Sequence, residues 1–206
     1  LKYYINMLYL EDSVKNTNQQ IIEVGQGMAK GAVSLAVGME AARQALSSIH
    51  AYAVSAVIVF AAAVYNLNEV LQGIYNVVGG AAPVFGVTTA GEICGGIYHG
   101  TVSVLILASP YLRVHCGVGV NVASDWLRAL DEAIDAPPVR PFFYDSKFKA
   151  RIRQQGRDCF MMLFAPGITE QSEYRGFDIL EALKEKSGGD FPVMGGGATD
   201  DRLEQN

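Results

Sequence analysis

A chain of 206 residues, half of them apolar, can bury one large core or two smaller ones. A net charge of -5 with no uniformly basic face argues against nucleic acid as the main partner. The longest uncharged apolar run, residues 51–64, is shorter than the ~20 residues of a spanning helix, so no membrane insertion is expected.

Residues 1–30 read as an N-terminal extension packed on a domain edge, and GAVSLAVG at 31–38 reads as a strand. From Met39 the spacing turns helical, with Met39, Ala42, Leu46 and Ile49 on one face. The continuous apolar run SAVIVFAAA, 55–63, predicts a strand covered on both sides, as in a parallel sheet. Asn66 and Glu69 have the spacing of a capping pair. The helix they start places Leu67, Val70, Leu71 and Ile74 toward the core, stops at Gly79 and hands over at Pro83 to a second, parallel strand. TVSVLILA (101–108) and YLRVHCGVGV (111–120) predict an antiparallel hairpin about Ser109-Pro110. On its second arm Leu112, Val114, Cys116, Val118 and Val120 share one face, and Tyr111, Arg113, His115, Gly117 and Gly119 the more polar one. Ser124 is the expected cap of a helix bearing Leu127, Leu130 and Ile134, which ends at the breaker APPVRP. Lys147, Lys149, Arg151 and Arg153 alternate with other residues, as on a solvated edge strand or an amphipathic connector; a docking patch is the rival reading. CFMMLFAPG (159–167) and the helix about Ile179, Leu180 and Leu183 complete the pattern.

The chain aligns with itself without a gap. EVLQGIYNVVGGAAPVFGVTTAGE (69–92) lies over DILEALKEKSGGDFPVMGGGATDD (178–201), pairing Pro83 with Pro192 and Gly86 with Gly195, 109 positions apart. The fold class is therefore α/β: a mixed sheet of two repeated strand-helix-strand units, about 39–135 and 142–206, plus the antiparallel hairpin, with helices packed on the sheet. The hairpin's counterpart in the second unit would begin near residue 210, so that unit reads as truncated. Its missing strands are expected from another segment or chain, and a free sheet edge would favour homo-oligomers or a companion domain.

In crossover sheets ligands gather beyond the carboxyl ends of parallel strands. There Thr88, Thr89, Gly91 and Glu92 on one turn, and Gly196, Gly197, Thr199 and Asp200 on the other, offer exposed amides, hydroxyls and carboxylates. Amides and hydroxyls suit a carboxylate and the acids an ammonium, so an amino acid or a similar small metabolite is the expected ligand, held in one pocket between the two turns. Catalysis has less support, because no His or Lys lies near Thr88 or Thr89 in sequence to activate a threonine nucleophile, and the P-loop and dinucleotide patterns are absent. His50 ends a helix, His99 sits in a glycine-rich turn and His115 lies mid-strand, where a haem or metal ligand is the rarer reading beside a hydrogen-bonded histidine. Cys94, Cys116 and Cys159, odd in number and far apart, fit neither a disulfide framework nor a zinc site and suit reducing cytoplasm.

VFGVTTAGEI, the TVSVLILASPYLRVHCGVG segment and FPVMGGGATDD, in that order and spacing, resemble the N-terminal FIST domain of bacterial sensory proteins over roughly residues 31–201. The resemblance implies a cytoplasmic, non-enzymatic sensory domain for small ligands such as amino acids, joined to a C-terminal FIST domain or a signalling output partner. Some members bind haem and sense nitric oxide, which makes haem the rival cofactor; their iron ligand maps onto no histidine here, and His115 is a candidate only by its own place mid-strand. Two further functions compete with these, a threonine-dependent enzyme and a protein-docking module.

Overall fold

The computed structural model describes residues 2–10, 21–155, 158–166 and 175–198. In chain order the elements are β1 (Lys2–Leu10), β2 (Glu23–Ala29), α1 (Ser34–Leu46), β3 (Val54–Ala62), α2 (Leu67–Val78), β4 (Val84–Thr89), β5 (Glu92–Ile93), β6 (Ile97–Tyr98), β7 (Val102–Ala108), β8 (Leu112–Val120), α3 (Trp126–Asp135), α4 (Arg140–Tyr144), α5 (Ser146–Gln154), β9 (Cys159–Pro166), α6 (Gly176–Ser187) and β10 (Val193–Ala198). Sheets of parallel and antiparallel strands with helices on them make this an α/β fold of mixed sheets, divided into two compact units.

The unit of residues 17–110 has the strand order β2-β7-β3-β4, with β3 and β4 parallel and the other neighbours antiparallel. Its core forms where the alternate residues Val57, Val59 and Ala61 of β3 and Val102, Val104 and Ile106 of β7 meet the helices, which contribute Val37, Ala41, Ala45, Val70 and Ile74. Asn66 caps α2 by accepting from the amides of Asn68 and Glu69 (3.1 and 3.4 Å), and Gly79 closes the helix at φ 76°. Leu67 is nevertheless 41% exposed, so the buried stripe of α2 is narrower than its sequence predicts. Residues 31–38 are not a strand. The helix already begins at Ser34 and buries the small residues Ser34, Val37, Gly38, Ala41, Ala42 and Ala45, whose short side chains mimic strand alternation when read over eight positions.

Glu23 opens β2, and its Oε2 accepts from the backbone amides of His50, Ala51 and Tyr52 at 3.1, 2.9 and 3.1 Å. These donors, Ala51 foremost, outweigh burial and hold its pKa below the usual 4.5. A lowered folded-state pKa stabilises the fold above the unfolded glutamate pKa, and that stabilisation disappears as pH falls through the folded value. The melting temperature of the protein is therefore expected to fall more steeply with acidification below pH 4.5 than that of Glu23→Gln, which has no carboxylate to titrate. Parallel melting curves for the two would contradict this role.

The unit of residues 111–198 with the N-terminal segment has the order β10-β9-β1-β8, in which β9 and β10 are parallel and the other neighbours antiparallel. Order and sense match those of the first sheet when β8, β1, β9 and β10 are set against β2, β7, β3 and β4. β1 thus lies inside its sheet rather than at an edge. It takes the place that the self-alignment leaves vacant in the second unit, so a strand of the same chain fills the expected gap.

Nor do β7 and β8 form the expected hairpin; they belong to different sheets. A two-residue hairpin turn needs residues that accept positive φ, and Ser109-Pro110 is poorly suited to it. Ser109 is anchored instead to its own unit: its hydroxyl donates to Ile21 O at 2.6 Å and its amide to Ser55 Oγ at 3.1 Å. The face of β8 read as polar is the one that packs on helices. A Cβ on Gly117 or Gly119 would lie 2.0 or 1.7 Å from the carbonyl oxygens of Ala133 and Ala129, so these glycines admit α3 at close range. Gly25 and Gly27 of β2 stand in the same way against Ala45 and Ala41 of α1.

Asp125, rather than Ser124, caps α3 by accepting from Arg128 N at 3.0 Å, while the Ser124 hydroxyl donates to Asn121 O. The basic stretch is the helix α5, not an edge strand, because Asp145 caps it and Ile152 anchors it in the core. On this helix Lys149 and Arg153 stand one turn apart, and both engage the carboxylate of Asp190 beyond α6, Lys149 at 2.9 Å.

Candidate functional site

β4 runs parallel to β3, and the two end side by side with Ala61 opposite Thr88 and Ala62 opposite Thr89. Past Thr89 the chain turns, forms the small β5–β6 hairpin and enters β7 through Thr101, whose carbonyl accepts from Ala62 N at 2.9 Å. Glu92 is 4% exposed in this turn. One of its oxygens accepts from the Thr89 hydroxyl and the other from the Thr101 hydroxyl. The buried carboxylate therefore ties together the chain on both sides of β3, and each oxygen keeps lone-pair capacity for a further donor.

The surroundings are polar and ordered. Tyr65 donates its hydroxyl to Gly100 O at 2.8 Å and accepts from Gly31 N at 3.3 Å. Lys30 Nζ donates to His99 O at 3.0 Å, and His99 Nδ1 donates to Ala90 O at 2.9 Å, since a carbonyl can only accept. Gly91 is exposed, Thr88 is half-buried, and Ile93 and Ile97 at the hairpin tip are largely exposed. Of the residues expected here, Thr89 and Glu92 are in direct contact. Thr101 and Tyr65 were missed. Thr101 was legible only as the one hydroxyl at the entry of an apolar strand, and Tyr65 as an isolated aromatic after a run of alanines.

Gly196 and Gly197, expected on a second turn, belong to β10 itself. They pair with Phe164 and Ala165 of the parallel β9, and both are exposed. A Cβ on Gly196 would meet nothing within 4 Å. Thr199 and Asp200 lie outside the described residues. Thr88 and Thr89 close the second strand of one strand-helix-strand unit and lead into Glu92, while Gly196 and Gly197 lie near the end of the second strand of the other, each in its own compact unit.

His115 stacks on Tyr9 with ring centroids 5.7 Å apart and planes 9° from parallel, and it meets Phe142 at 5.6 Å. An iron ligand at this position would have to leave that stack. Among the described residues no three His, Cys, Asp or Glu side chains are grouped to hold a metal ion. The three cysteines are free; burial pushes the Cys116 thiol up to about 11 and that of Cys159 up to about 12, away from nucleophilic thiolate chemistry. No described helix is long and apolar enough to cross a membrane.

A family model described as the FIST N domain matches residues 55–206. No curated protein matches the chain. Similar solved structures include Rv2704 of Mycobacterium tuberculosis, a member of the YjgF/YER057c/UK114 family, at 16% identity and a TM-score of 0.35, covering 45% of this chain and 81% of that one. An FtsZ mutant from M. jannaschii aligns at 19% identity and a TM-score of 0.32, over 44% of this chain and 28% of its own. At that distance neither likeness bears on function.

Proposed function

The chain belongs to the FIST N domain family of signal-transduction sensory domains, and on that premise we propose that it senses an amino acid or a similar small zwitterion through the turns at Thr88–Glu92 and 196–200. One observation carries this reading: a buried carboxylate, Glu92, held by the Thr89 and Thr101 hydroxyls at the carboxyl end of a parallel strand pair, where crossover sheets collect ligands. At Thr88–Glu92 the ligand's ammonium would take the remaining capacity of Glu92, and its carboxylate the amide about Gly91 with the Thr88 hydroxyl. In the segment 196–200, taken by itself, Asp200 would serve the ammonium, and the amides about Gly196 and Gly197 with the Thr199 hydroxyl the carboxylate. The matched order of the two sheets supports reading the chain as a doubled unit, in which the two turns are equivalent. In this reading the domain works in the cytoplasm, performs no chemistry, and passes its ligand state to a C-terminal FIST domain, a signalling output partner or a second copy.

A thermal-shift screen against the twenty amino acids tests it. A ligand present at 100 times its Kd should stabilise the fold by ~2.7 kcal/mol. Thr88→Val combined with Gly196→Val, the latter in open space, should keep the unliganded melting temperature and lose the shift. A shift that survives the double variant, or none with any amino acid, would refute the assignment.

A further inference from the structure

The unit of residues 111–198 holds a cavity apart from the residues of the proposed amino acid site. Between the end of α3 and the start of α5 is a cavity of about 420 Å³, lined by Asp135, Pro137, Arg140, Pro141, Tyr144 and Asp145. That is within the size range of small-molecule sites. Its apolar surface comes from two proline rings and the Tyr144 ring, and its charge from two carboxylates and one guanidinium. The guanidinium of Arg140 lies 5.9 Å from the centre of the Tyr144 ring, with its Nε 3.8 Å from Asp135 Oδ1. Arg140 thereby shows where a cation sits in this cavity, against an aromatic face and beside a carboxylate.

Three further features favour a cation. Asp135 ends α3, whose last turn carries no basic residue, so the negative end of the helix dipole adds to its carboxylate. Lys186, the neighbouring amine, is taken up by Asp131 at 2.7 Å. The Tyr144 pKa is raised first by burial and then by the Asp135 carboxylate, which places that negative charge close to the ring. The Arg140–Asp135 contact is loose and both side chains are more than half exposed, so little free energy holds Arg140 in place.

We propose that this cavity binds an alkylguanidinium group, which displaces Arg140 from the Tyr144 ring, pairs with Asp135 and Asp145, and lays its aliphatic stem along Pro137 and Pro141. The group belongs either to a free small molecule or to an arginine side chain of a partner protein. This site uses none of the residues of the amino acid site and stands or falls without it.

The test titrates the full chain with butylguanidinium chloride, and separately with an arginine-containing tripeptide, while following the Tyr144 ring resonances by NMR. Saturable shifts with the free cation are expected, and tighter binding of the tripeptide would identify a protein side chain as the source. Arg140→Ala should strengthen binding about threefold by removing the internal competitor, and Asp135→Asn with Asp145→Asn should weaken it about fivefold, on the scale of exposed ion pairs. Asparagine preserves the cap that Asp145 provides for α5, so the double variant should fold. Absence of saturation with either probe, or weaker or unchanged binding in Arg140→Ala, would overturn the proposal.

Discussion

Replacing Gly86 with alanine is expected to leave the protein largely unfolded. Gly86 pairs with Val59 across the parallel β3–β4 contact, and a Cβ there would lie 1.8 Å from Val59 O and 2.6 Å from the carbonyl carbon. No rotamer relieves a clash with backbone, so the strands must part, and with them the hydrogen bonds on which α1 and α2 rest. Overpacking of a flexible core costs ~1–3 kcal/mol, and a rigid backbone neighbour raises that above ~3, a large part of the ~5–15 kcal/mol that stabilises a typical domain. Gly195→Ala should be at least as harmful: its Cβ would lie 1.7 Å from Leu163 O, and the native φ of 143° suits glycine alone. Gly196→Ala, one residue on, should change stability little, because nothing lies within 4 Å. Urea denaturation of the three variants checks the pattern; a well-folded Gly86→Ala protein, or a Gly196→Ala protein as damaged as Gly195→Ala, would contradict the packing described.

Asp190→Ala should cost about 2 kcal/mol, between the small value of an exposed ion pair and the ~3–5 of a fully buried one. The Asp190 side chain is 15% exposed and faces two cations from α5, Lys149 at 18% exposure and Arg153. Lys149 also donates to Ser187 O at 3.4 Å, at the end of α6, so the same groups fasten α5 to the close of α6. Removing the carboxylate strands the Lys149 ammonium in a poorly hydrated place. Denaturant curves should show a lower midpoint for Asp190→Ala, whereas Lys147→Ala, at an exposed position outside this network, should leave it unchanged. Equal midpoints for Asp190→Ala and the parent would show that the network adds nothing.

Local signals in the sequence proved sound where neighbours along the chain decide the structure. The Asn66 cap, the Gly79 stop and the strand after Pro83 depend on residues within one or two turns of each other, and each parallel strand pair is joined through a single crossover helix. Strand partnership was another matter. Val102–Ala108 and Leu112–Val120 are adjacent and alternate well, yet their partners lie far away in sequence, and nothing in either strand names a distant partner. Gly117 and Gly119 misled in a related way: absence of a side chain read as polarity, while in the sheet it makes room for a helix. At the candidate site the Thr89–Glu92 contact spans three residues and was legible, but Thr101 reaches Glu92 only because β7 starts beside the end of β3.

The interior position of Lys2–Leu10 in its sheet sets an order of events during synthesis. This segment leaves the ribosome well before its sheet neighbours, Leu112–Val120 and Cys159–Phe164. At ~5–20 residues per second the wait for the second neighbour is on the order of 10–30 s. Throughout it an aromatic, apolar strand must be shielded from other nascent chains, while residues 17–110 already have every strand of their own sheet. Folding then proceeds from residues 17–110, and Lys2–Leu10, although made before them, are among the last to find a permanent place.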